Sequence, residues 1–206
     1  MQQNSAEWFQ ARLGKVTASR IYDIIASQKN GEPLKKYSDY KMQLLSERLT
    51  GQIFSQPTNK YMDWGVEYEA QAKEEYKFLN DVVITECGFI NHPTIAMSGA
   101  SPDGLINADG LIEVKCPQST THLDFLLNDK IKPEYIAQMQ WQMACTDRAW
   151  CDFVSFDPRF EGKSAGLRIK EKRILRDDNF IAEITVKVSK FLQEIKDMET
   201  QLKETQ

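Results

Sequence analysis

Ser101-Pro102-Asp103-Gly104 is followed, nine residues after the aspartate, by Ile112-Glu113-Val114-Lys115. Two carboxylates ten positions apart can hold hard divalent cations, which prefer oxygen donors, against a phosphodiester. A lysine two residues beyond the second carboxylate can position or deprotonate the attacking water. The pattern predicts a metal-dependent nuclease site made of Asp103, Glu113 and Lys115. Taken alone, patterns this short also fit a solvated surface hairpin, so the elements that hold them decide between the two.

Asp109-Gly110 is a turn signal between Gly104-Leu105-Ile106-Asn107 and Leu111-Ile112-Glu113-Val114-Lys115, which predicts two antiparallel strands. Loop length sets which side chains share a face. A two-residue turn pairs Ala108 with Leu111 and sends Asp103 to the face away from Glu113 and Lys115. A three-residue loop Ala108-Asp109-Gly110, with Gly110 left-handed, pairs Asn107 with Leu111 and Asp103 with Lys115. In that register Asp103, Glu113 and Lys115 face one way, and Ile106, Ile112 and Val114 face an apolar core.

Around the hairpin, two short helices are expected, from Glu7 to Leu13 and from Thr17 to Ala26, with the Gly14–Val16 turn bringing Arg12 near Ser19. A helix carrying Met42, Leu45 and Leu49 would start on a Ser38 cap and end at Gly51. A further helix from about Asn59 to Leu79 repeats Met62, Gly65, Glu69, Ala72 and Tyr76 at three- and four-residue intervals, which puts Glu69 on an inward stripe. A carboxylate there needs a partner such as a metal; the alternative is a partly exposed Glu69 paired with Lys73 one turn on. Strands are expected over 82–90 and 95–99, then at 150–156 and 167–175, with a helix between them that opens on Pro133. That helix carries Gln138 and Gln142 on one face and Ile136, Met139 and Met143 on another. From about 177 to 204 runs an amphipathic helix with Phe180, Ile184, Val188, Phe191, Ile195, Met198 and Leu202 in a near-heptad seam, which either packs on the parent domain or serves a protein contact. The expected architecture is α/β (α+β): a central mixed β-sheet flanked by helices, in one domain over 1–206.

The chain has 206 residues and 41% apolar content, enough for a substantial core. No run approaches the roughly 18 apolar residues of a membrane span, and the N-terminus lacks a signal-peptide pattern. A cytosolic protein is expected. Cys87, Cys116, Cys145 and Cys151 have no paired C-x-x-C spacing, so reduced packing thiols are expected rather than zinc. The net charge of −4 argues against a duplex DNA partner. Its distribution softens that objection, since Lys163, Arg168, Lys170, Lys172, Arg173 and Arg176 are opposed locally by Glu171 alone, and Lys29, Lys35, Lys36 and Lys41 form another basic stretch. Both stretches fit a DNA-facing surface and an ordinary solvated strand or loop equally well.

Five segments occur in one order: Arg12-Leu13-Gly14-Lys15-Val16-Thr17-Ala18-Ser19, Trp64-Gly65-Val66-Glu67-Tyr68-Glu69, Ser101-Pro102-Asp103-Gly104, Glu113-Val114-Lys115-Cys116-Pro117 and Tyr135-Ile136-Ala137-Gln138-Met139-Gln140. Over residues 5 to 160 the chain closely resembles the phage lambda-exonuclease and YqaJ-like viral recombinase family, within the PD-(D/E)xK nucleases with a restriction-endonuclease-like core. The resemblance implies Asp103, Glu113 and the Val114 carbonyl as ligands of Mg²⁺, two ions with Mn²⁺ as a substitute, and Lys115 beside the attacking water. Glu69 would complete the acidic cluster, on the second metal or on its waters. Arg12, Ser19, Ser101 and Gln138 fall where the family grips a terminal 5′-phosphate, a group suited to a guanidinium fork and neutral donors. Met62 falls where the family places an apolar wedge that parts the terminal base pairs. The implied activity is 5′-to-3′ digestion of double-stranded DNA to 5′-mononucleotides, leaving a 3′ single strand. A homotrimeric ring and a phage single-strand annealing protein are the implied partners, in the cytoplasm of a bacterial host. Two competitors share these residues or this fold: another PD-(D/E)xK nuclease, cutting internally or serving repair in the RecB manner, and a non-catalytic module that binds DNA ends.

Overall fold

The computed structural model describes residues 2–54 and 60–204, with 60–62 described by their backbone only. The N-terminal part comprises α1 (Ala6–Arg12), β1 (Val16–Thr17), α2 (Ile21–Ile25) and α3 (Lys35–Thr50). Ser5 caps α1 by accepting from the Trp8 N–H. The single helix expected over Thr17–Ala26 is divided instead into a short strand, a 3-10 turn at Ala18–Arg20 and α2. Pairing of Val16 and Thr17 with Ser98 and Gly99 takes the first residues out of helix. In α3 the start lies at Leu34, upstream of Ser38, whose hydroxyl donates back to the Lys35 carbonyl at 2.8 Å. Gly51 does end α3, with φ +67°. The face of α3 is also rotated from the expected one: Tyr40, Leu44 and Leu45 are buried, while Met42 and Leu49 are exposed.

Next come α4 (Lys60–Asn80), β2 (Ile84–Thr85), β3 (Ile90–Asn91), β4 (Ser98–Ala100), β5 (Gly104–Ile106) and β6 (Gly110–Lys115). The expected strands 82–90 and 95–99 are shorter and broken. After α5 (Ser119–Asn128) and α6 (Pro133–Thr146) follow β7 (Trp150–Phe156), β8 (Ile169–Leu175) and α7 (Asp178–Glu204). Five strands form one mixed sheet in the order β2-β5-β6-β7-β8, with only β6 and β7 parallel. A smaller sheet, β1-β4-β3, lies beside α6. The expected mixed sheet flanked by helices is present.

Each face of the large sheet is covered differently. Ile106, Ile112 and Val114 pack with Ala72 and Tyr76 of α4, whereas Leu111 and Phe153 pack with Met139 and Met143 of α6. A third apolar cluster joins Val16, Ile21, Tyr40 and Leu44 to Ala137, Trp141 and the inward stripe Ile184, Val188, Phe191 and Ile195 of α7. Helix α7 therefore packs on the body of the protein through the stripe read from its spacing.

Candidate active site

The hairpin that carries the carboxylates has a three-residue loop, but it is placed one residue earlier than expected. Ile106 pairs with Gly110 and Gly104 with Ile112, so Asn107-Ala108-Asp109 forms the loop and Asn107 takes the left-handed conformation, φ +47°. Gly110 lies in the strand because the Trp150 ring of β7 covers it; a Cβ there would meet that ring at 2.1 Å. Extending the observed register by one pair sets Asp103 opposite Glu113 rather than Lys115. The slip is two positions, so parity and faces survive, and Asp103, Glu113 and Lys115 still share one side.

Asp103 precedes the first paired residue of β5, and its Oδ2 accepts the Val114 N–H at 2.7 Å. A strand residue points its N–H and C=O to the same edge, so the Val114 carbonyl is directed to the edge where Asp103 sits. Glu113 is wholly buried. Its Oε1 accepts from Lys115 Nζ and from Gln138 Nε2 at 2.7 Å, and its Oε2 accepts from Gln142 Nε2 at 2.6 Å. Burial, then the negative charges of Glu113 and Glu69, hold the Asp103 carboxyl well above its ordinary pKa. Burial pulls the Lys115 ammonium down, but Glu113 and Asp103 outweigh it and leave it above its usual value.

Glu69 approaches this cluster from α4. Its stripe neighbours Ala72 and Tyr76 are buried, whereas the Glu69 side chain remains 35% exposed and bonds Lys73 Nζ at 2.7 Å. Lys73 is itself buried and also meets Glu86 Oε1 at 3.1 Å. The i,i+4 pair open from the sequence is thus formed, and it is formed close enough to Asp103 to influence its charge.

A second group of donors lies alongside. Arg12, at the end of α1, stacks 3.9 Å from the Trp8 ring centroid, and its Nη1 donates to Ser101 Oγ at 3.4 Å. The same hydroxyl accepts from Trp8 Nε1 at 2.9 Å. No carboxylate stands within ion-pair distance of Arg12 among the described residues. Burial lowers its pKa to about 10, against the raising pull of Tyr40 and Glu47, so it stays charged at neutral pH. Ser19 is exposed on the 3-10 turn, 3.4 Å from Thr17 Oγ1, and that turn packs on α6, the helix of Gln138. Arg12 and Ser101 are in contact; Gln138 is engaged with Glu113. The side chain of Met62 lies outside the described residues.

Residues 7–149 match the YqaJ-like viral recombinase domain family. The chain belongs to that family. Of solved structures, an alkaline exonuclease from Laribacter hongkongensis, LHK-Exo, superposes with a TM-score of 0.89 at 46% identity, covering 98% of this chain and 97% of that one. LHK-Exo in complex with dAMP gives 0.90 at 45% identity over the same shares. A phage related exonuclease from Haemophilus somnus has TM-score 0.69 at 16% identity over 91% and 96% of the two chains. An uncharacterized protein of Acanthamoeba polyphaga mimivirus is 28% identical over 166 residues, 74% of this chain. The chain spans only 29% of the length of that relative. The fold of this YqaJ-like chain is the PD-(D/E)xK nuclease fold.

The donor set of this YqaJ-like site fits a hard divalent cation. Asp103, Glu113, Glu69 and the Val114 carbonyl offer oxygen alone, and the Asp103 carboxyl, raised by burial and then by the charges of Glu113 and Glu69, is one that a cation would lower. As they stand, no three His, Cys, Asp or Glu side chains among the described residues are grouped closely enough to hold an ion together; Lys115 and Gln138 sit on Glu113, and Lys73 on Glu69. Cys116 and Cys87 are reduced, with thiols pushed by burial to about 12 and about 11. Two partners escaped the sequence: Trp8 on Ser101 and Gln142 on Glu113. Only the second had a signal, the Gln138/Gln142 spacing of one helical turn.

Proposed function

We propose that this protein is a Mg²⁺-dependent 5′-to-3′ exonuclease on double-stranded DNA, releasing 5′-mononucleotides and leaving a 3′ single strand. The observation that carries the proposal is Asp103 and Glu113 on one face of the hairpin with Lys115 bonded to Glu113 and the charge of Glu69 acting on Asp103, next to an Arg12–Ser101 contact in which Arg12 has no ion-paired carboxylate among the described residues. The 46% identity to an alkaline exonuclease over nearly the whole chain supports the same activity.

Magnesium, with Mn²⁺ as a substitute and two ions in all, would be held by Asp103, Glu113, the Val114 carbonyl and Glu69. When bound it neutralises charge at the scissile phosphate and acidifies a water. Lys115, held by Glu113 at the rim of the buried carboxylates, orients that water for in-line attack. Arg12 and Ser101 grip the terminal 5′-phosphate, with Ser19 and Gln138 completing the grip; a guanidinium without an internal counter-ion is suited to a doubly charged end group. Gln138 then exchanges Glu113 for the phosphate. Met62 is assigned the wedge that separates the terminal base pair. The protein acts as one nuclease domain, in a homotrimeric ring threaded by DNA, and hands its 3′ strand to a phage single-strand annealing protein in the bacterial cytoplasm. Membership of a viral recombinase family supports that setting, and no helix among the described residues is long and apolar enough to cross a membrane.

A linear duplex with one 5′-phosphate and one 5′-hydroxyl end tests the assignment, digested with Mg²⁺ and with a chelator beside a covalently closed circle. The expected result is Mg²⁺-dependent release of mononucleotides from the phosphorylated end alone. Cleavage of the closed circle overturns it in favour of an endonuclease. Sedimentation at several concentrations tests the trimer.

A further inference from the structure

Gln142 has no role in the chemistry described so far, and its environment is costly. It is wholly buried, and its carbonyl Oε1 has no hydrogen-bond partner among the described residues. An unsatisfied buried acceptor destabilises the fold, because it has given up its water and gained no donor. A methionine of similar length would fill the space without that orphan, but it would leave Glu113 Oε2 without its donor. What the amide supplies is one donation, Nε2 to Glu113 Oε2 at 2.6 Å. Reversing the amide would set its oxygen against the carboxylate, so the direction of that bond is fixed by charge.

The two oxygens of Glu113 are held in different ways. Oε1 accepts from Lys115, whose side chain is 28% exposed, and from the half-buried Gln138. Both donors sit toward the open side of the site and can be exchanged for a cation or a substrate phosphate. Oε2 accepts from Gln142, which is wholly buried on α6.

We propose that Gln142 is a positioning residue: it anchors Glu113 through Oε2 so that Oε1 is the oxygen presented to the cation. This rests on the nuclease reading above. Groups that orient a metal-binding carboxylate typically account for 10–100-fold in metal affinity or activity.

The test is Mn²⁺ binding by titration calorimetry on the intact protein without DNA, in wild type, Gln142→Met, Gln142→Ala and Gln138→Met, each with its melting temperature. For Gln142→Met the expected result is a melting temperature a few degrees below wild type, since the orphaned Gln142 carbonyl is removed but Glu113 Oε2 loses its donor, with Mn²⁺ affinity about tenfold weaker or more. In DNA digestion the half-saturating Mg²⁺ concentration should rise by a similar factor, and kcat at saturating Mg²⁺ should recover most of its loss. Gln138→Met, which frees only the exchangeable oxygen, should lose less affinity than Gln142→Met. Wild-type Mn²⁺ affinity in either folded Gln142 variant overturns the anchor, as does a larger loss in Gln138→Met. Absence of Mn²⁺ uptake by the wild-type protein overturns the nuclease reading and the anchor with it, which separates the two failures.

Discussion

Asp103 faces two other carboxylates across a site that excludes much of the solvent, and its raised pKa has a consequence for stability. In the unfolded chain the carboxyl titrates at about 3.9. In the folded protein it binds its proton more tightly, first through burial and then through Glu113 and Glu69. Its contribution to stability is therefore complete below the unfolded value and is lost as pH rises through the folded one. Magnesium would take the place of the proton. Melting temperatures in chelator should fall more steeply with rising pH in the wild type than in Asp103→Asn, and Mg²⁺ should flatten the wild-type curve alone. Equal slopes in chelator would remove Asp103 as the titrating group. On catalysis, Asp103→Ala and Lys115→Ala should each lower hydrolysis about a thousandfold or more, the scale of several kcal/mol of lost charge stabilisation, while DNA binding by gel shift is retained. Arg12→Ala should instead lower the preference for 5′-phosphate over 5′-hydroxyl ends, read from paired digestion rates; an unchanged ratio takes Arg12 out of the pocket. The shared face of Asp103, Glu113 and Lys115 was legible because parity along a hairpin depends only on loop length, whereas Arg12 was reached only through the family resemblance. Gln142 was not legible, because an ordinary helical Gln gains meaning only from the carboxylate that tertiary packing sets against it, whereas Lys73 could be read as the i,i+4 partner of Glu69.

At the level of the element, the hairpin shows how local and distant preferences divide. Asp109-Gly110 is a strong turn signal, and the turn forms within one residue of it. What moved it is the Trp150 ring, which leaves room for nothing larger than a hydrogen at position 110. The left-handed residue is Asn107, a type that tolerates φ +47° better than most. Gly110→Ala should then cost about 1–3 kcal/mol in chemical denaturation, the usual scale of overpacking, and it should disturb catalysis, because the same strand carries Glu113. Asn107→Gly should be close to neutral and Asn107→Ala should cost about 1 kcal/mol; the reverse order would contradict the loop. Face assignment survived the slip because it depends only on odd and even positions. Helix ends were less legible. Ser38 has a good capping side chain, but α3 begins upstream at Leu34, and α5 announces itself by no cap or regular apolar spacing strong enough to predict it.

Across the whole molecule the apolar clusters separate the two halves of the proposed chemistry. Two of them clasp the hairpin between α4 and α6, while the third sets β1 and α2, next to Arg12 and Ser19, upon α6 and α7. Helix α6 belongs to both sides, with Gln138 and Gln142 on Glu113, Trp141 in the third cluster and Met139 and Met143 under the sheet. Five of the six basic residues on β8 and its flanks are held in ion pairs, most of them at the surface. Arg173 bonds Asp152, Lys170 and Lys172 bond Asp129, Arg168 reaches Glu75, and Arg176 meets Asp147 and Asp178. Charge counting along the chain cannot reveal most of this pairing, because Glu75, Asp129, Asp147 and Asp152 are distant in sequence and only Asp178 is local. The third cluster supplies the final prediction. Phe191 on α7 is fully buried and packs against Tyr37 and Tyr40, and the Tyr40 hydroxyl accepts the Thr17 N–H at 3.1 Å. Phe191→Ala should cost about 3–5 kcal/mol in stability. Because that loss loosens the layer behind β1 and leaves the hairpin clasp intact, discrimination for 5′-phosphate ends should weaken at temperatures where the variant is still folded. The Mg²⁺-dependent hydrolysis rate at saturating DNA should change little. A fall in that rate with end preference intact would mean that α7 supports the carboxylates rather than the phosphate pocket, and that the two halves are not separable in this way.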